Sequence, residues 1–75
     1  MQNYTIILEP DHDEGGYTVT VPALPGCITQ GESTEQCIER AREAILGYIE
    51  SLQLAGEPVP EETESPQMIV INIAA

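Results

Sequence analysis

The stretch that decides the fold runs from Tyr17 to Ala55, YTVTVPALPGCITQGESTEQCIERAREAILGYIESLQLA. Tyr17, Val19 and Val21 alternate with Thr18 and Thr20, the two-residue period of a strand with one buried face. Pro22, Pro25 and Gly26 break that strand. The prolines fix their own φ and hold the residues before them out of the helical region, while Gly26 is free to take a positive φ, so Val21 to Gly26 reads as a rigid bend. Cys27 to Gln30 then re-enters the sheet as a short strand, and Gly31 releases the chain toward a helix. The start of that helix is marked by Ser33, a good N-cap, with Gln36 three residues on to close a capping box.

Within the helix Cys37, Ile38, Ala41, Ala44, Ile45, Tyr48, Ile49 and Leu52 recur at three- and four-residue spacings and form one apolar stripe. A lone amphipathic helix and a lone hairpin are both marginal in water, so the stripe is expected to lie across the apolar face of the sheet. Working outward, Asn3 to Glu9 alternates Tyr4, Ile6 and Leu8 against Thr5, Ile7 and Glu9, predicting a first strand ended by Pro10. The polar, glycine-rich run from Asp11 to Gly16 joins it to the next strand as a hairpin.

Gly56 and Pro58 stop the helix. Glu57 to Gln67, with three prolines and four glutamates, reads as an extended surface connection. Met68 to Ile73 reads as a last strand that is apolar on both faces, Met68 and Val70 on one and Ile69, Ile71 and Ile73 on the other. Such a strand needs cover on both sides, and one helix covers only one face of a sheet. A homo-oligomer, dimer or tetramer, is therefore expected, its interface using Met68, Ile69, Val70, Ile71 and Ile73 or the sheet face away from the helix. The fold class is α+β: an antiparallel sheet of three to four strands in the order β-β-β-α-β with one long helix on one face, in a single domain spanning residues 1–75.

Composition limits function. Thirteen acidic residues against two basic ones give a net charge of −11, which repels nucleic acid phosphates and suits a basic protein partner. The exposed hairpin acids Asp11, Asp13 and Glu14 are the expected contact points for such a partner. No stretch reaches membrane-spanning length and the N-terminus carries no signal-peptide pattern, so the expectation is a soluble, cytoplasmic protein. Cys27 and Cys37 are expected as small buried residues and not as a disulfide or metal pair. His12, between two aspartates, belongs to a solvated turn in which neighbouring side chains diverge, which makes a poor metal or acid/base site. Ser33 and Thr34 lack the base and glycine-flanked elbow of a nucleophile, and the glycines have neither dinucleotide nor P-loop spacing. No catalytic residue, metal or cofactor is expected.

The run from Tyr17 to Cys37, with LeuProGlyCys at Leu24 to Cys27, Gly31, the Ser33-Thr34-Glu35 helix start and the Gly-x-Pro-x-Pro exit at Gly56 to Pro60, resembles the HicB family of antitoxins and their HicB-like relatives. The resemblance covers nearly the whole chain. It implies a partial ribonuclease-H-like domain, and it implies inhibition: family members bind HicA, a small basic toxin that cleaves messenger RNA, and mask its catalytic histidine. The carboxylates that would hold two metals in a ribonuclease H are not recognisable here. Many members continue into a helix-turn-helix or ribbon-helix-helix domain that binds their operator. This sequence ends after the last expected strand, so operator binding is not expected of it. The alternative reading is an orphan HicB-like structural or ligand-sensing module without a toxin.

Overall fold

The computed structural model describes residues 2–75. Three strands, β1 (Ile7–Pro10), β2 (Tyr17–Thr20) and β3 (Ile28–Gly31), precede one helix, α1 (Thr34–Leu54). The strands form an antiparallel sheet in the order β1-β2-β3. Ile7 pairs with Thr20 and Leu8 with Val19, while Val19 on its other side pairs with Thr29. This register puts Leu8, Val19 and Tyr17 on the face that packs against α1, and Ile7, Glu9, Thr18 and Thr20 on the other.

The core falls into two adjoining clusters. Val19, Cys37 and Ala41 are buried together with Ile6, Leu8 and Tyr17 packed around them. Val21, Leu24 and Cys27 form the second, walled by Tyr4, Ala44, Ile45 and Tyr48. The second cluster is the proline bend itself, folded inward. Leu24 N–H donates to Val21 O (2.9 Å), Cys27 N–H to Leu24 O (3.0 Å) and Val21 N–H to Cys27 O (3.1 Å). These bonds turn Leu24 completely out of solvent, and the Tyr48 hydroxyl donates to Pro25 O (2.8 Å) to tie the bend to the helix.

Both helix ends follow the sequence signals. Ser33 Oγ accepts from Gln36 N–H (3.1 Å), and the Gln36 side chain reaches back to accept from Glu32 N–H (2.7 Å). The box thus closes one residue earlier than its usual form, on the residue before the N-cap. At the other end Gly56 takes φ +70°, with Gly56 N–H on Gln53 O (3.1 Å) and Glu57 N–H on Leu52 O (2.9 Å). That is the paired closure of a Schellman motif.

Two expectations need correction. β1 starts at Ile7 and includes Pro10, whereas the alternation predicted a strand from Asn3 that Pro10 would end. Residues 3–6 have no strand opposite them, because β2 gives way to the proline bend just past Thr20. Pro10 is tolerated because β1 is an edge strand that needs no N–H on its outer side. Met68 to Ile73 forms no strand with the sheet in this chain, and its apolar residues are covered on neither face, with Met68 92% and Val70 95% exposed. The chain consequently has a radius of gyration of 14.5 Å and a long dimension of 51 Å, against the ~11 Å radius of a compact chain of this length.

Candidate functional site

α1 is about 31 Å long at 1.5 Å per residue, and it lies over strands of only four residues each. It packs chiefly on β3 and the proline bend. Its flank toward β1 is left bare. Cys37 and Ala41 are buried, but Ile38 is 42% and Leu46 67% exposed. Between this flank and the lead-in to β1 runs a groove of about 660 Å³, walled by Ile6, Ile38, Ile45, Leu46 and Ile49, with Arg42 at its margin.

The connection after the helix is fastened beside that groove. The Tyr4 hydroxyl donates to Pro60 O (2.6 Å), and Glu62 accepts from both Thr5 N–H and Thr5 Oγ1, each at 2.6 Å. Ser65 Oγ adds a third donor at 2.8 Å. These donors hold the Glu62 carboxyl below the usual carboxylate range, the Thr5 hydroxyl contributing most. Burial, with Glu61 nearby, pushes the Tyr4 phenol up.

A second cleft, polar and of about 350 Å³, opens at the other end of the sheet between the β1–β2 turn and the start of α1. Asp11, Glu14 and Glu32 line it, with Arg40 on the far wall. Arg40 donates to Gln30 O (3.4 Å). The three expected partner-contact acids share this turn but differ in role. Asp11 is half-buried and accepts from Asp13 N–H (3.0 Å) and Glu14 N–H (3.1 Å), so its carboxylate shapes the loop. Asp13 and Glu14 point their charge outward. Glu32 joins them from a separate segment, a neighbour no local motif announced, because it arrives through the β3 pairing that brings Gly31 against Gly16.

His12 is exposed on the same turn. Among the described residues no three His, Cys, Asp or Glu side chains gather as metal ligands. Cys27 and Cys37 are both free and buried, and burial pushes the Cys27 thiol up, away from the reactive thiolate form. Among the described residues no helix is long and apolar enough to cross a membrane.

These features define a small acidic α+β module whose polar side chains cap, turn and tether the chain while its surplus charge faces outward. The family model described as "HicB_like antitoxin of bacterial toxin-antitoxin system" matches residues 4–72. The chain belongs to this family of HicB-like antitoxins. It is 48% identical over 59 residues to a UPF0150 protein of Thermoplasma acidophilum, covering 79% of this chain and 84% of that one. With Antitoxin HicB of Escherichia coli K12 it shares 36% over 61 residues, which covers 76% of this chain and 44% of the antitoxin. The crystal structure of the N-terminal domain of Burkholderia pseudomallei antitoxin HicB superposes with a TM-score of 0.70 at 37% identity, covering 83% of this chain and 72% of that one.

Proposed function

We propose that this chain neutralises a small basic mRNA-cleaving toxin of the HicA type by direct protein contact, as a binding module and not as an enzyme. The observation that carries the reading is the acidic cleft lined by Asp11, Glu14 and Glu32, with Asp13 exposed on the same turn. In a chain of net charge −11, it is a place where acids from two separate segments converge beside backbone already fixed by hydrogen bonds. A basic protein surface supplies the opposite sign, and complementary fields raise the rate of encounter and fix its orientation. An RNA-binding toxin must itself be basic to hold phosphate, so an acidic module complements it in charge.

The test is co-expression with a small basic HicA-type toxin, taken from a neighbouring reading frame where one is found, scored for growth rescue and followed by co-purification of the pair. Rescue and a stable complex are expected. Loss of rescue in the double variant Glu14→Lys, Glu32→Lys, with helix content intact, places the contact at the cleft. Undiminished toxicity with the wild-type chain overturns the reading and leaves an orphan module.

A further inference from the structure

Met68, Ile69, Val70, Ile71 and Ile73 leave the body of the molecule with 70–95% of their surface in water. Beside them lie two unmet needs of the same chain. Among the described residues β1 has no strand paired on its outer side, and the groove between α1 and the lead-in to β1 is walled largely by Ile6, Ile38, Ile45 and Ile49. We propose that Met68–Ile73 of one copy adds as a fourth strand to the outer edge of β1 in a second copy, reciprocally, with Ile69, Ile71 and Ile73 entering the groove. The register then lays Met68 and Val70 on the opposite face, beside Ile7, so both apolar faces of the segment are covered at once. The sheet and its groove are incomplete without the second copy.

The occupant is a second copy for three reasons. First, the connection is pinned at Tyr4 and Thr5, just ahead of β1; it bends at Thr63–Glu64, and Pro66 with its restricted neighbour Ser65 then carries the chain outward. The 51 Å long dimension records that departure. Second, the groove has no carboxylate in its lining, and its one charged side chain is Arg42, so it offers a basic partner no counter-charge. Third, two exchanged segments bring ten large apolar side chains, which with the walls they cover reach the ~1,200 Å² at which specific interfaces begin. The proposal is independent of whether a toxin is bound, since the acidic cleft lies at the other end of the sheet.

The full chain is weighed by sedimentation equilibrium and native mass spectrometry across the micromolar range, with circular dichroism to follow the helix. A dimer, or a tetramer built from dimers, is expected. Ile71→Asp is expected to raise the dimer dissociation constant at least tenfold with unchanged helix content, because the side chain is exposed within its own chain. Ile28→Asp, on the open sheet face away from the groove, is expected to leave it unchanged. Ile71→Cys and Leu46→Cys chains, mixed and treated with a short bismaleimide, are expected to form cross-linked heterodimers. A monomer throughout the range overturns the proposal. So does a dimer lost in Ile28→Asp but kept in Ile71→Asp, or a chain carrying both Ile71→Cys and Leu46→Cys that cross-links within itself while the mixed single variants do not, which would show the segment folding back on its own groove.

Discussion

Leu24 shows how much of this fold rests on single side chains. Among the described residues it is the largest that is completely buried, and it sits in a bend whose three backbone hydrogen bonds carry it inward. Leu24→Ala is expected to cost ~2–5 kcal/mol, since the surrounding prolines hold the bend too stiffly to collapse into the space. In a domain this small that is a large part of the total, so urea denaturation should find the variant largely unfolded. Gly31, which closes β3 ahead of the helix, and Gly47, within it, make a sharper pair. A Cβ on Gly31 would lie 2.8 Å from Cys37 Sγ and 2.9 Å from Cys37 N, and backbone at that distance does not yield. Gly31→Ala is expected to destabilise by ~1–3 kcal/mol. At Gly47, in mid-helix, a Cβ meets nothing within 4 Å, and Gly47→Ala is expected to stabilise by ~0.5–1 kcal/mol through helix propensity. Chemical denaturation of both variants checks the opposite signs.

Among the elements, the connection after α1 is held by the Tyr4–Pro60 bond and by the Glu62 carboxylate on Thr5, and the carboxylate gives it a pH dependence. The folded Glu62 pKa is depressed, so the stabilisation it contributes is fully present above the unfolded value of about 4.3 and is lost as pH falls through the lower folded value. Acid titration below pH ~4.5 should loosen the connection before the helix melts. Hydrogen exchange at Thr5 N–H should report that loosening, and in Glu62→Gln the dependence should flatten. None of this was legible in the sequence, because a bond across 57 residues leaves no local pattern. The helix was legible at both ends, since Ser33, Gln36 and Gly56 act within a turn of where they stand. β1 was legible in type and wrong in extent: alternation continues through Tyr4, but pairing needs a strand opposite, and the proline bend removes it. The last segment, Met68–Ile73, was legible as a surface that must be covered, and a two-residue period cannot name the chain that covers it. The acidic turn residues were legible as exposed charge. That Asp11 would spend its carboxylate on its own loop while Glu32 took its place beside Glu14 depended on tertiary register.

For the whole molecule, charge and apolar surface act in separate places, and salt distinguishes them. A net charge of −11 on 75 residues repels itself within each copy, and the screening length falls from about 10 Å at 0.1 M salt to about 3 Å at 1 M. Raising sodium chloride through that range is expected to raise the thermal midpoint of the isolated chain. It is also expected to tighten self-association, since an exchanged isoleucine strand gains nothing from charge attraction and two like-charged copies must approach each other. Association with a basic toxin has the opposite sign: the on-rate, which opposite fields accelerate, should fall steeply while the off-rate changes little. Surface-plasmon kinetics with the toxin, beside sedimentation of the chain alone over the same salt series, measures both in matched buffers. Self-association that weakens with salt in parallel with toxin binding would mean that one charged surface serves both, and the assignment of the groove to a second copy and the cleft to a basic partner could not stand.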